Sequence, residues 1–392
     1  MTTQSDIGVR LSSTRGTISA QVLYDYLTNP TPLSGEVPWH PEAITPSWMT
    51  DVLRLRSDTA LVSSIEVVGG TDGTSSRRML ELTYKESGGQ PTRFLAKATP
   101  TLAHRLAFVQ YAGNEATFYT EVRPELDLEL PTSVFAGMDD RTGRSLILLD
   151  DLTQTVGADF CNWEYTLTKD QVLEAVTVLA TLHRRFHYQN VDSRSSSIAN
   201  VGPVEKYYGD TWIRSVERSH DKAMEVAVDS IPADVTQRRS EIIPLSLRGS
   251  EIHRLATGTL LHSDPHLGNW YVTESGKMGL CDWQGLTLGH WSRDFAYSMS
   301  TLMNTEQRRE WYPEVRDRYL DELGSAASGG VAGDSADVLV RRQLCNALLM
   351  WTATLVHPDW VPNMQPDAMS IAMIQRITAA MSDMAALDAF EG

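Results

Sequence analysis

The chain has 392 residues, 42% hydrophobic and 21% charged, enough apolar content for one large domain or two lobes with their own cores. With 34 basic residues against 50 acidic ones the formal charge is −16, which argues against nucleic acid or an anionic membrane as a partner, since both demand a basic face. No apolar run approaches a membrane span, the N-terminus lacks the features of a secretory signal, and Cys161, Cys281 and Cys345 are scattered in apolar sequence, so the reading is a cytoplasmic protein with buried free thiols.

Residues 1–45 read as an N-terminal extension, with a helix predicted over 18–27 and a proline-rich stretch up to Pro46. Thr45-Pro46-Ser47-Trp48 is a helix start, because Thr45 can cap and Pro46 sits where its missing N–H costs nothing; the helix is expected to run to Leu55. Three β-prone runs follow over 61–68, 78–84 and 93–98. The turn signals Gly69-Gly70-Thr71-Asp72-Gly73-Thr74 and Gly88-Gly89 separate them into an antiparallel meander. A helix over 103–122 and strands near 133–136 and 145–149 are predicted next. After Asp150-Asp151-Leu152 the pattern changes to long helical periods. The first covers 169–188, with Val172, Val176, Leu179, Leu182 and Phe186 on one face. A Ser-rich loop occupies 192–200, and short strands are predicted over 258–261, 270–272 and 278–281. The segment 338–356 is apolar on most faces, as a central buried helix is, and Met373, Ile374, Ile377, Met381, Met384 and Leu387 form the stripe of a final helix.

The most specific segment is His262-Ser263-Asp264-Pro265-His266-Leu267-Gly268-Asn269, followed at a short distance by Cys281-Asp282-Trp283-Gln284. It sets one carboxylate on a loop stiffened by Pro265, an amide five positions on, and a second carboxylate after an apolar strand. A carboxylate at Asp264 can accept the proton of a substrate hydroxyl and hold its oxygen in line with a γ-phosphate. Asn269 and Asp282 offer the hard oxygen ligands that Mg²⁺ takes. His262 is read as structural, its ring bonding the loop backbone. Singly, each of these is an ordinary turn or strand-end residue; their order and spacing between β-prone segments set the group apart.

On these residues the segment resembles the catalytic and metal-binding loops of the aminoglycoside phosphotransferase and choline kinase-like family, whose fold is that of protein kinases. The resemblance extends over roughly residues 60–305. It implies an α+β, bilobal protein kinase-like fold. The N-lobe, 46–150, is an antiparallel sheet plus a helix that grips the nucleotide phosphates; the C-lobe, 151–392, is mostly helical and carries the acceptor site. It implies ATP and Mg²⁺ as cofactors, Asp264 as the catalytic residue, and Asn269 and Asp282 as metal ligands. Asp294, in Arg293-Asp294-Phe295-Ala296-Tyr297, resembles the Asp that opens the following helix and ties back to the loop. Phe94-Leu95-Ala96-Lys97-Ala98 resembles the strand whose Lys grips the α- and β-phosphates, with Glu115 on the next helix as its partner and Phe118 and Tyr119 as that helix's anchors. The turn containing Gly70 and Thr71 resembles the phosphate-covering turn. Leu148-Leu149-Asp150-Asp151-Leu152 lies at the position of the interlobe hinge, where backbone at Asp150 and Leu152 would bond adenine. His183 is read as a core histidine.

Departures from the protein-kinase pattern direct the acceptor reading. Ser263 replaces the arginine that reads a phosphorylated activation loop, Trp283-Gln284 stands in place of Phe-Gly, and Asp294 follows Asp282 too closely for a long regulatory loop. Tyr312-Pro313-Glu314 looks like the Ala-Pro-Glu that closes an activation segment, but it comes after Asp294 has begun the next helix. The acceptor is therefore expected to be a small-molecule hydroxyl, on an aminoglycoside-like amino sugar or another alcohol, rather than a protein. Gly289-His290-Trp291-Ser292-Arg293-Asp294 also resembles larger members, ecdysteroid kinase-like ones included. Trp291, Trp311, Trp351 and Trp360 either line a pocket for a lipophilic alcohol or pack the core. A catalytically inactive nucleotide-binding scaffold predicts loss of Lys97, Asp264, Asn269 or Asp282, and all four are present.

Overall fold

The computed structural model describes residues 8–10, 17–28, 36–107, 109–187, 210–254, 256, 258–329, 334–357 and 363–390. The chain divides into two units, Met1–Glu125 with Leu130–Ala158, and Leu126–Glu129 with Asp159–Gly392.

The first unit opens with a hairpin of β1 (Gly8–Arg10) and β2 (Thr17–Ser19) that leads into α1 (Ala20–Thr28), near the helix expected over 18–27. Helix α2 (Pro46–Leu53) starts as its sequence predicts: Thr45 Oγ1 accepts the Trp48 N–H at 3.1 Å and Pro46 occupies the first turn. An antiparallel sheet follows, made of β3 (Leu61–Asp72), β4 (Ser76–Glu86), β5 (Arg93–Ala98), β6 (Ser133–Asp139) and β7 (Arg144–Asp150) in the order β3-β4-β5-β7-β6. Alternation puts Leu80, Leu82, Phe94, Ala96, Leu146 and Leu148 into one core with Trp48, Met49 and Leu53 of α2. Between β5 and β6 lie α3 (Leu102–Ala107) and α4 (Val109–Thr117), and α5 (Leu152–Thr155), capped by Asp151, follows β7.

Two expectations are corrected here. The turn between the first two strands is shorter than 69–74, because Gly69, Gly70 and Thr71 remain in β3, opposite Met79, Arg78 and Arg77. A Cβ on Gly70 would lie 2.3 Å from the Arg77 carbonyl, so the absence of a side chain lets the two strands stay paired. The helix expected over 103–122 is not one α-helix: α3 and α4 give way to a π-helical turn at Phe118–Val122. That wider turn keeps Phe118, Tyr119 and Val122 buried just before Pro124, which has no N–H to continue the run. Within the expected extension, one described residue makes a buried ionic contact. Asp25 on α1 is buried and accepts from Arg105 Nη1 at 2.8 Å and from Arg144 Nε and Nη2 at 2.8 and 2.7 Å. A carboxylate flanked by two buried guanidiniums ties α1 into the unit.

The second unit contains β8 (Asp159–Phe160), α6 (Lys169–Arg185), α7 (Asp210–Val226), α8 (Ala233–Gln237) and α9 (Ile242–Arg254). Then come β9 (Thr259–Leu261), β10 (Trp270–Val272), β11 (Met278–Leu280) and β12 (Thr287–Gly289). The helices α10 (Ser292–Thr301), α11 (Thr305–Leu323), α12 (Ala336–Leu355) and α13 (Asp367–Asp383) complete it. The strands form two small antiparallel sheets, β11-β10-β8 and β12-β9. Helix α12 is the central element, packed against α7, α9, α10 and α13, as its all-round apolarity predicts. Trp291 and Trp351 are buried, and Tyr312-Pro313-Glu314 lies inside α11. The Ser-rich stretch 192–200 and Trp360 fall outside the described residues. Among the described residues no helix is long and apolar enough to cross a membrane. Cys161 and Cys345 are buried free thiols that burial pushes up to about 12.

Buried neutral histidines give this unit an acid sensitivity. His220 Nδ1 lies 3.2 Å from Thr352 Oγ1. His253 and His290 pack edge to face, with Ser292 Oγ 3.2 and 2.8 Å from their Nδ1 atoms. Burial lowers His220 and His253 to about 4. The unfolded chain therefore takes up protons near 6.5 that the folded chain refuses, so stability holds above pH 6.5 and falls as pH drops from there toward 4. Each group removes on the order of 3 kcal/mol across that window. A His220→Gln variant is expected to show a shallower loss of thermal midpoint between pH 7 and pH 4.5 than the parent, measured by scanning calorimetry.

Candidate functional site

The 262–269 loop joins β9 to β10, and each of its ends is paired: β9 with β12, and β10 with β11 through Trp270↔Leu280. Its first residues are held by Asp294, fully buried at the start of α10. Asp294 Oδ2 accepts the His262 N–H at 2.7 Å and Oδ1 accepts the Ser263 N–H at 3.0 Å. His183 Nε2 lies 3.3 Å from the same carboxylate while its Nδ1 meets Tyr319 Oη at 2.6 Å, so α6 and α11 both support the anchor. Ser263 is then turned to φ +68, a conformation side chains rarely adopt and one that the surrounding bonds must hold.

His262 links this loop to the segment after β11. Its Nδ1 accepts the Asp264 N–H at 3.2 Å and its Nε2–H donates to the Cys281 carbonyl at 3.0 Å, a tautomer assigned from those partners. The ring stands edge-on to Trp283 at 4.6 Å, and burial lowers its pKa, which keeps Nδ1 bare as the loop requires. Gly285 passes so close that a Cβ would lie 2.8 Å from the His262 carbonyl.

The backbone of Asn269 is tied to the residue before Asp282: its carbonyl accepts the Cys281 N–H at 2.8 Å and the Cys281 Sγ–H at 3.2 Å. Asn269 Nδ2 donates to the Asp264 main-chain carbonyl at 2.8 Å, so its Oδ1 is the atom directed away from that bond. Asp282 is at φ +65, the second non-glycine residue of the site in left-handed backbone. Two hard oxygen donors on a constrained frame suit Mg²⁺, which keeps several waters and takes its other ligands from phosphates. No group of three His, Cys, Asp or Glu residues able to hold a metal occurs among the described residues.

The Asp264 carboxylate is half-buried. Oδ1 accepts the Tyr297 hydroxyl at 2.9 Å; Oδ2 lies 3.4 Å from Asn269 Nδ2 and 3.7 Å from His266 Nε2. Burial pushes this carboxyl up, to about 7, with the Asp282 charge adding to the rise; since 29% of the side chain stays accessible, solvent moderates it. His266 has its Nδ1 on the Gly268 N–H at 3.0 Å and its ring against Trp351 at 5.1 Å, and burial lowers it to about 4. The Pro265 carbonyl accepts from Trp270 Nε1 at 3.2 Å and Ser298 Oγ at 3.1 Å.

In the first unit, Lys97 on β5 and Glu115 on α4 meet at 2.6 Å, 5% and 3% exposed. Phe118 and Tyr119, stacked edge to face at 5.1 Å, bury the end of that helix. Gly70 and Thr71 lie on exposed β3 backbone, three and two residues before Gly73, whose carbonyl contacts His104 Nε2 at 2.9 Å. At the expected hinge, one backbone group of each of Asp150 and Leu152 is engaged. The Asp150 N–H donates to Thr132 O at 3.3 Å, and the Leu152 carbonyl accepts from Val156 and Ala158 at 3.1 and 3.0 Å. The Asp150 side chain takes both bonds from Arg56 Nη1, at 2.9 and 3.1 Å.

Sequence reasoning assigned no role to Tyr297 or Ser298, and neither stands out in the sequence. The signal was available in their spacing: at i+3 and i+4 from Asp294 they share a helix face with a residue already read as bonding the loop.

Comparison with known proteins bears on the second unit most directly. Residues 233–330 match the family described as "Phosphotransferase enzyme family". No curated protein sequence matches the chain. Among solved structures, a spectinomycin phosphotransferase in complex with ADP and spectinomycin is 12% identical, with 88% of this chain and 100% of that chain covered at a TM-score of 0.51. A microcompartment-associated aminopropanol kinase is 14% identical, with 86% and 98% covered at 0.48. The choline kinase of Streptococcus pneumoniae is 13% identical, with 85% and 96% covered at 0.44. The match of residues 233–330 bears out the resemblance to the phosphotransferase family, and the likeness to the spectinomycin phosphotransferase bears out the expected α+β, protein kinase-like fold.

The buried pair of the first unit makes a stability prediction. Glu115→Ala leaves the Lys97 ammonium buried beside an empty space, and is expected to destabilise that unit by about 3–5 kcal/mol. Urea denaturation of Glu115→Ala and of the double variant Lys97→Met/Glu115→Ala checks this: the double variant should recover a large part of the loss.

Proposed function

We propose that this chain is a cytosolic small-molecule kinase that transfers the γ-phosphate of ATP to a hydroxyl of an amino sugar or another alcohol. The observation that carries the reading is the single frame holding Asp264, Asn269 and Asp282: His262 bridges their two loops and Asp294 fixes the entry to the first.

In this reading Asp264 orients the acceptor hydroxyl and takes its proton, a role that a half-buried carboxylate with a raised pKa suits. Asn269 Oδ1 and the Asp282 carboxylate would hold Mg²⁺, which when bound neutralises charge on the nucleotide phosphates. Lys97, aimed by Glu115, is the phosphate-gripping cation of residues 46–150, and 151–392 carry the acceptor site. Gly70 and Thr71 would then act from strand rather than turn backbone. The match of residues 233–330 to a phosphotransferase family supports this assignment, because that segment contains Asp264, Asn269 and Asp282.

The test is substrate-dependent ADP release with Mg-ATP across a panel of amino sugars, sterols and simpler alcohols. The wild-type protein is expected to turn over at least one. Asp264→Asn is expected to lower kcat by roughly a thousandfold or more, the scale of general-base and positioning effects together, while nucleotide affinity by calorimetry stays within about threefold. Wild-type-like turnover in Asp264→Asn would refute the mechanism. Nucleotide binding without turnover of any acceptor would favour a non-catalytic scaffold.

A further inference from the structure

We infer that Tyr297 is a positioning residue for Asp264: its hydroxyl fixes the rotation of the carboxylate and leaves Oδ2 as the oxygen that receives the acceptor's proton. The inference rests on the role proposed for Asp264 above, and it assigns a task to a residue outside the motif.

Helix α10 reads the loop residue by residue. Asp294 accepts from the His262 and Ser263 N–H groups, Tyr297 Oη donates to Asp264 Oδ1 at 2.9 Å, and Ser298 Oγ donates to the Pro265 carbonyl at 3.1 Å. Positions i, i+3 and i+4 lie on one face of a helix, so one rigid element addresses four consecutive loop residues. The first and last of these contacts hold the backbone. Only the Tyr297 contact acts on a side chain.

That contact matters because an Asp carboxylate rotates about a broad, weakly preferred torsion and has no intrinsic orientation. Its other contacts are longer: Asn269 Nδ2 donates to Oδ2 at 3.4 Å while its shorter bond, 2.8 Å, goes to the main-chain carbonyl of Asp264, and His266 Nε2 stands 3.7 Å away. Tyr297 is 5% exposed, its ring is fixed within the helical core, and its hydroxyl-to-carboxylate bond is charge-assisted. With Oδ1 already accepting a proton donor, Oδ2 is the more basic oxygen. In the transfer, the acceptor oxygen bonds phosphorus as the diphosphate leaves, and the hydroxyl proton passes to Oδ2.

Tyr297→Phe removes the donor and keeps the ring. Crystal structures of the parent and the variant are expected to show the Asp264 carboxylate rotated or split over two orientations, with the 262–269 backbone and the Asp294 bonds unchanged. Steady-state kinetics with Mg-ATP and the best acceptor from the ADP-release panel should show kcat reduced about 10–100-fold with both KM values within about twofold, the pattern of an interaction used only in the transition state. A role in stability alone would lower the thermal midpoint and leave kcat of the folded protein unchanged. A single, unmoved Asp264 orientation in the variant, or an unchanged kcat, would overturn the inference. If the parent releases no ADP with any acceptor, the kinase reading fails, and the crystallographic comparison still decides whether Tyr297 positions Asp264.

Discussion

The buried carboxylate of Asp294 is the constraint from which the site in the second unit is built. A fully enclosed carboxylate is tolerated only when its oxygens are satisfied, and here both accept backbone N–H groups from the start of the 262–269 loop. The same bonds hold Ser263 at positive φ, which turns the chain so that the next residue presents Asp264. Behind Asp294, the His183–Tyr319 pair extends the support into two helices, and the Thr259 hydroxyl bonds the His183 carbonyl at 2.7 Å. The loop is irregular, but nearly every group around it is fixed by an element that is not.

His262 shows how a residue can be indispensable to a site without facing its chemistry. One ring nitrogen accepts and the other donates, so a single neutral imidazole holds two loops at a set spacing. Protonation would remove the acceptor, and the burial that lowers its pKa protects against that. The first unit uses buried charge in a comparable way. Lys97 and Glu115 orient each other, and Asp25 between Arg105 and Arg144 locks α1 in place. Buried pairs of this kind cost desolvation, so their contribution is geometric definition as much as stability.

Much of this was legible before any coordinates. Period-two runs located β4, β5 and β7, helical periods located α6, α12 and α13, and Thr45-Pro46 marked the start of α2. These are local signals, carried by residues a few positions apart. The misreadings share a different cause. Gly69 and Gly70 look like a turn because glycine favours turns, yet strand pairing with Arg78 and Met79 overrode that preference. The helix over 103–122 looked continuous because its apolar positions repeat, whereas burial of Phe118, Tyr119 and Val122 ahead of Pro124 imposed a π turn.

By itself the sequence determined the chemistry on offer: a carboxylate, an amide and a second carboxylate at a spacing that two short hairpins can gather, and a lysine with an acidic partner eighteen positions on. Only the tertiary structure decided which atoms of those groups are held and by what. Tyr297 and Asp264 are 33 positions apart, and Asp25 and Arg144 are 119 apart. No periodicity relates such pairs, because they meet only after helices and strands have packed. The direction of a carboxylate is set by the donors that packing delivers to it.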